Sequence, residues 1–579
     1  MIAVLSGHGA NIRHMVARFW TALLSPVWIS RLLLLVGLAS VASALSPTID
    51  ARSELINSTI PPIFPAAATT GTAAIGIVLV ILARGLRRAK HRAWAVALVL
   101  TILATATHLL KGLDVEEAVM CTVMVVLLIC GRRSFTARPA PRSLLSMVAA
   151  LTVGPVVAAA LGWIWLMVDA HGQVADTTPW DRIVEAFAGL VGVPGPVVFN
   201  NDRSQTIATT ALAVLGAAVL LMAVTAALRP PRGPAPISED DETRLRALLD
   251  RWGQLDSLGY FTLRDDRAAI FGPGGAAVSY RVVGGVSLAG GDPIGNPDAW
   301  DGAIQAWLDQ AKENGWTPAV LAAGETGARA FQRAGLDVLE LGDEAILYAP
   351  RFTLDGREMR GVRQAVARCE RNGLSTEVRR VRDLPGSEIE LLRELSNEWR
   401  EGPVERGFSM ALGRFGAPQD GDAVVVLARL DEEPVGLLHF VPWGKDGLSL
   451  ELMRRNRTSP NGVIETMVAG LMSAAPALGV QRVSLNFAVF RGVLARGEEL
   501  GAGPAARFGR AVLMGASKFW QIDSLYRSND KYRPEWVPRY LVYPGAGDLA
   551  GVVTAVLAAE AFVPIPWLRA SDEVELVGS

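Results

Sequence analysis

Hydrophobic and polar positions divide this chain near residue 230. Before that point six apolar runs, at roughly 29–46, 66–83, 93–110, 117–131, 144–168 and 206–228, alternate with polar loops. Each is about the length needed to cross a ~30 Å hydrocarbon core, the fourth being the shortest. The first run resembles the apolar part of a signal peptide, but it starts late and further spans follow it, so it reads as an anchor. The loop 169–205 holds one more apolar stretch, "IVEAFAGLVGVPGPVVF". Its glycines and prolines favour a re-entrant or interfacial segment over a seventh span. The prediction is a six-span domain over 1–228.

After a Pro-rich and then acidic linker, 229–241, the pattern becomes short strand-like runs alternating with amphipathic helices. A first round holds the helix "DETRLRALLDRWG", the strand-like "AAVSYRVVGGVSLAG", the helix "DAWDGAIQAWLDQAKENG", and strands in "PAVLAAG" and "AILYAPRF". A second round begins with the helix "EMRGVRQAVARCERNG" and the strand "STEVRRV". It continues with the helix "SEIELLRELSNEWR", a hairpin turning at Asp431–Pro434, the strand "GLSLELMRR", a helix from Gly462 and the strand "RVSLNFAVF". Two similar rounds predict a tandem α/β acyltransferase fold, with a first unit over 242–350 and a second over 351–579.

Charge adds orientation. The chain has 579 residues and a net charge of −1, so binding of anions must come from local clusters. The loops 84–92 and 131–142 are strongly basic while 47–65 and 111–116 carry acids, which places both chain ends in the cytoplasm by the positive-inside rule. Cys121, Cys130 and Cys369 show no metal-binding or disulfide spacing and are expected to be buried free thiols. His108, near a span end, is expected at the interface.

Two stretches carry candidate chemistry. "ELMRRNRTSPNG" (451–462) combines Glu451 with Arg454, Arg455 and Arg457 and ends in the turn Pro460-Asn461-Gly462 before a helix. On a strand, Glu451 and Arg454 lie on opposite faces, but at a curling strand end they are expected to converge. Arginine forks and the amides of a helix N-terminus both suit phosphate, although a solvated basic turn fits the spacing too. "LYRSNDKYRPEWVPRYLVYP" (525–544) interleaves Arg527, Lys531, Arg533 and Arg539 with Tyr526, Tyr532, Trp536 and Tyr540. That mixture suits phosphate contacts with ring stacking, or a Pro-rich loop whose aromatics pack on the core. Glu465 is a second acid, or a first-turn glutamate favouring the helix dipole. Asp292 reads mainly as a turn residue.

"ELMRRNRTSPNGVIETM", "VSLNFAVFR", "KYRPEWVPRYL" and "AGGDPIGNP" (289–297), in a chain with several spans, resemble the bacterial phosphatidylglycerol lysyltransferase family, the aminoacyl-phosphatidylglycerol synthases. "SLNFAVFR" is most similar to the actinobacterial lysyl-phosphatidylglycerol synthase branch. The resemblance implies a membrane domain followed by a cytoplasmic tandem acetyltransferase-like (GNAT-type) domain. It implies transfer of an amino acid, lysine in the leading reading, from aminoacyl-tRNA to the glycerol hydroxyl of phosphatidylglycerol. Lipid and tRNA 3′ end would enter one tunnel from opposite ends, with no metal or acetyl-CoA. The product would lower membrane negative charge and so resistance to cationic antimicrobial peptides would rise.

By the same resemblance Glu451, Arg454 and Lys531 are catalytic candidates: Glu451 for the hydroxyl or the donor's amino group, Arg454 for the lipid phosphate. Lys531 and Arg539 are assigned to phosphate of the lipid or of the tRNA terminus, and Arg455, Asn461, Glu465, Arg527 and Trp536 join them as binding candidates. Six spans are fewer than in long family members that flip their product, which leaves flipping open. A chain ending at 579 without a fused lysyl-tRNA synthetase is expected to draw charged tRNA from the cell. Alanyl or ornithyl transfer, a lipid flippase without transferase activity, a transferase acting on cell-wall peptides, and a homo-oligomer all stay open at this stage.

Overall fold

The computed structural model describes residues 23–45, 63–112, 114–137, 143–168, 173–174, 177–400, 407–489 and 528–560. The chain divides into two compact units, one of Met1–Pro231 with Lys312–Trp316, the other of the remainder.

The first unit is helical. Every predicted apolar run is a helix: α1 (Pro26–Leu45), α2 (Ile63–Arg87), α3 (His91–Gly112), α4 (Val115–Cys130), α5 (Ser143–Val168) and, after α6 (Pro179–Leu190), α7 (Asp202–Ala227). Five are long and apolar enough to cross a membrane, and α4, at 16 residues, is shorter. The helix α1 meets α2 at paired glycines. A Cβ on Gly37 would lie 2.8 Å from the Gly76 carbonyl oxygen, and one on Gly76 2.9 Å from that of Gly37, so only glycine permits this backbone approach. Around it Leu33, Leu79, Leu82 and Leu128 form an apolar interior. Within the unit α5 leaves Leu145 72% and Val153 58% exposed, surface suited to lipid rather than water. The protein is an integral membrane protein. The loop helix α6 is capped by Thr178 and Asp181 and, at 12 residues, is too short to cross. His108 corrects an expectation: it is buried, with Nε2 3.2 Å from Ser40 Oγ, because α1 packs over it. Cys121 and Cys369 are buried free thiols, whereas Cys130 is exposed.

The second unit is built on one mixed sheet of twelve strands. In chain order it holds α8 (Glu239–Trp252), β1 (Ala268–Gly272), β2 (Ala276–Val283), β3 (Val286–Gly290), β4 (Ile294–Gly295), α9 (Trp300–Asn314), β5 (Thr317–Ala323), α10 (Glu325–Arg333) and β6 (Asp337–Tyr348). Then come α11 (Arg360–Arg371), β7 (Leu374–Arg380), α12 (Gly386–Glu398), β8 (Val424–Leu430), β9 (Glu433–Trp443), β10 (Gly447–Arg455), α13 (Val463–Ala474), β11 (Arg482–Val489), β12 (Glu535–Tyr543) and α14 (Leu549–Ala559). The spatial order is β1-β2-β3-β5-β12-β6-β11-β10-β9-β8-β7, with β4 on β2.

Each half has one parallel pair, β3 with β5 and β10 with β11, joined in each case by a helix; the other pairs are antiparallel. The repeated order is the predicted tandem acetyltransferase-like arrangement. The expected cut at residue 350 needs correction, because the halves exchange strands. From the first half, β6 pairs β11; from the second, β12 fills the slot between β5 and β6. "KYRPEWVPRYL" therefore ends in a central strand and not a loop. Pro538 is tolerated there because pairing with β5 begins only at Tyr540, so its missing N–H falls where β12 has a single neighbour. The β8–β9 hairpin turns at Asp431 and Glu432, both at positive φ (51° and 68°), the twist a two-residue turn requires.

Candidate active site

The strands β10 and β11 run parallel only from Gly447–Ser449 against Arg482–Ser484, and just beyond this both lose their register. The first shifts between Leu450 and Leu452 against β9; the second shifts between Ser484 and Phe487 against β6. Two bulges thus face each other where the pairing stops. Asn486, at φ 69°, crosses the gap: its Nδ2 donates to the Leu450 carbonyl, and its Oδ1 is buried without a hydrogen-bond partner among the described residues.

Glu451 is the extra residue of the first bulge, and this changes which way side chains point. In an unbroken strand Leu450 and Leu452 would share a face. Here Leu450 packs with Phe440, Val366 and Met467 on the side of α11 and α13, while Leu452 packs with Leu437, Val425 and Leu392 on the side of α12. The expected meeting of Glu451 with Arg454 is corrected by the same shift. Among the described residues the Glu451 carboxylate is held by other groups: Oε1 accepts from the amides of Leu412 and Gly413, each at 3.0 Å, and Oε2 from His439 Nδ1. Arg454 Nη1 donates to the Met453 carbonyl at 3.1 Å. Burial pushes the Glu451 carboxyl up, but His439 and the two amides outweigh it and leave it below the usual glutamate range. His439 itself lies under the edge of the Phe415 ring, 4.9 Å between centroids.

Lys531 and Glu465, predicted separately, meet: Nζ lies 2.8 Å from Oε1. Burial opposes the charge on Glu465, yet the lysine holds its carboxyl below the ordinary range. Lys531 is therefore paired with an acid and keeps part of its side chain exposed. The turn Pro460-Asn461-Gly462 leads into α13 as expected, with Gly462 at φ 112°. Its Cβ position would lie 2.9 Å from Cys369 Sγ, so glycine is needed both for conformation and for room. Asn461 is exposed and its carbonyl accepts from Arg368 Nη2 at 2.9 Å. Arg455 is exposed, and Trp536 is half-buried against the core that includes Leu450. Arg527 lies outside the described residues. A cleft of about 460 Å³ is lined by Tyr348, Arg351, Phe352, Tyr532 and Arg533; Lys531, Glu451 and His439 do not line it.

Arg539 requires the plainest correction. Lying on a central strand it is buried, and its guanidinium is satisfied from within: Nη1 meets Asp256 Oδ1 at 2.7 Å, while Nη2 meets Glu344 Oε2 and Ser257 Oγ, both at 2.6 Å. Asp292 also adjoins this cluster. It is more than a turn residue, since its carboxylate accepts from Gly324 N at 2.6 Å and caps α10. Burial and the charge of Asp256 push it up to about 7.

Sequence reading missed His439, which lies inside the hairpin strand "EPVGLLHFVPW". The available signal was a lone histidine on an otherwise apolar strand, the strand before the one that carries Glu451. It also missed the segment 407–420, whose amides hold Glu451 and which is itself pinned: Ser409 N and Phe408 N donate to Glu560, and Arg414 bridges Asp420 and Glu242.

A family model described as phosphatidylglycerol lysyltransferase, C-terminal, matches residues 246–543. The chain belongs to this family. A second model, the transmembrane region of lysyl-tRNA synthetase, matches 21–228. The lysylphosphatidylglycerol biosynthesis bifunctional protein of Rhodococcus opacus is 41% identical over 528 residues, covering 87% of this chain and 46% of its own. The one from Mycobacterium ulcerans is 41% identical over 511 residues, covering 85% and 45%. The chain thus spans about half the length of the curated relatives it matches. The solved L-PGS from Bacillus licheniformis superposes with a TM-score of 0.49 at 23% identity, covering 57% of this chain and 98% of that one. The phosphatidylglycerol lysyltransferase family match runs from within α8 to the end of β12 and includes Glu451 and His439.

Proposed function

We propose that this protein transfers an aminoacyl group, lysyl in the leading reading, from aminoacyl-tRNA to a glycerol hydroxyl of phosphatidylglycerol. The observation that carries this is the Glu451 carboxyl group joined to His439 at paired strand bulges, in a chain of the phosphatidylglycerol lysyltransferase family. The donor is an activated ester, so the reaction is ester exchange. It needs a means of moving one proton, stabilisation of a developing oxyanion, and orientation of two substrates. Parallel strands that part at bulges interrupt the ladder of backbone hydrogen bonds beside Glu451, and backbone amides released in this way are suited to an ester carbonyl. Arg454 and Arg455, next along β10, and Lys531 with Glu465 are the charged groups we assign to substrate phosphates, Glu465 serving to hold the lysine. With the basic loops facing the cytoplasm, the α/β unit meets the inner leaflet of the plasma membrane, where both substrates are available. Loss of lipid negative charge would weaken attraction of cationic peptides.

Expression in a host without aminoacylated lipids, followed by lipid extraction and mass spectrometry, tests the reading. A lysyl-phosphatidylglycerol mass is expected. An alanyl or ornithyl mass would replace the donor, and no new lipid from a membrane-inserted chain would overturn the proposal. Glu451→Ala is expected to abolish the product while membrane insertion persists.

A further inference from the structure

We propose that His439, through Nε2, accepts the proton of the attacking hydroxyl, and that Glu451 is its positioning carboxylate. This rests on the aminoacyl-transfer reading above and changes which residue performs its proton step.

The hydrogen bonds decide between the two groups. Glu451 Oε1 is taken by two backbone amides and Oε2 by the imidazole, and its side chain is only 3% exposed. An ionised carboxylate can only accept, so Nδ1 is the donor and carries the ring's hydrogen. In the neutral ring Nε2 is then a bare lone pair. That atom is buried and has no hydrogen-bond partner among the described residues. Leaving a buried acceptor unsatisfied is costly, and a buried structural histidine would ordinarily have its second nitrogen paired. The anchoring is equally specific. The segment giving the two amides is fixed by Arg414, Asp420, Glu242 and Arg246, which are bonded to one another, so among the described residues the ionisable group bonded to the imidazole is Glu451. Phe415 packs on the imidazole in a T-shaped arrangement, 4.9 Å between centroids.

The step balances without a further reactant. The hydroxyl oxygen bonds to the ester carbonyl carbon as its proton passes to Nε2. The bond from that carbon to the ribose oxygen then breaks, and Nε2 returns the proton to the leaving oxygen.

The test uses the full chain in phosphatidylglycerol vesicles with labelled lysyl-tRNA. His439→Asn is the chosen variant, because its amide can still donate to Glu451 where Nδ1 did while no base remains at Nε2. Wild type is expected to gain rate roughly tenfold per pH unit on the acid limb of kcat. His439→Asn should retain its melting transition and KM, lose about 10²–10⁴-fold in kcat, and lose that acid limb. A variant that melts normally and keeps both rate and limb would overturn the assignment. If His439→Asn does not fold, His439→Gln is read by the same profile and judged by the same outcomes. A wild-type chain that makes no aminoacyl lipid would instead overturn the function itself, before any variant is compared.

Discussion

The sheet buries two acid–base constellations that differ in one respect. At the seam of the two halves, Arg539 on β12 meets Glu344 and Asp256, and Glu344 Oε1 also accepts from Ser257 and Ser484. At the bulges, Glu451 meets His439 and two amides. The first is closed: one guanidinium bridges two acids and its donors find acceptors. The second leaves the His439 Nε2 nitrogen without a partner among the described residues, and on β11 the Asn486 oxygen is likewise unpartnered. A closed cluster holds strands together, whereas an open one keeps polar atoms available to something that arrives later. In the sequence Arg539 reads as a ligand and His439 does not stand out, since basic residues beside aromatics form a pattern and a single histidine in an apolar strand does not.

Removing the guanidinium should expose the contrast most strongly. Arg539→Met leaves Glu344 and Asp256 buried without their cation and is expected to destabilise the α/β unit by about 3–5 kcal/mol, the usual result of breaking a buried ion pair. A melting scan of the detergent-solubilised chain checks this. A shift no larger than that of a surface substitution would mean the cluster is not closed.

A smaller effect is expected at Asp292. Its folded-state pKa is raised to about 7 by burial and Asp256, so the folded protein holds a proton that the unfolded chain releases near 4. Stability from this group is complete below the unfolded value and is lost as pH rises through about 7. Glu451 and Glu465, whose carboxyls are lowered, act in the opposite sense, adding stability above the ordinary glutamate range and losing it on acidification. Asp292→Asn should therefore flatten the loss of stability between about pH 4 and 7, as read from urea midpoints across that range. An unchanged slope would remove Asp292 as its source.

The smallest effect belongs to Arg455. It is exposed, so Arg455→Gln should change stability by less than about 0.5 kcal/mol. Its effect on transfer should be confined to KM for the lipid, weakening with salt. A loss of kcat would place it closer to the chemistry than its exposure suggests.

Local pattern made much of the fold readable. The apolar runs became helices, "GLSLELMRR" became β10, and the turn before α13 formed at Gly462 because a left-handed residue was needed there. Local pattern could not show the bulge at Glu451. A bulge is a relation between two strands, and nothing in "LEL" distinguishes an alternating strand from one that repeats a face. The union of Lys531 with Glu465 was hidden for the same reason, since 66 positions separate them.

By itself the sequence determined the membrane segments, the alternation of helices and strands, and the motifs that tie the chain to its family. Those depend on composition and short-range periodicity. Tertiary structure alone decided that β6 and β12 change places between the halves, that Arg539 is sealed into the seam this creates, and that His439 and Glu451 come together with one nitrogen left over. Each is a matter of long-range pairing, in which burial turns identical charged side chains into either fasteners or reagents.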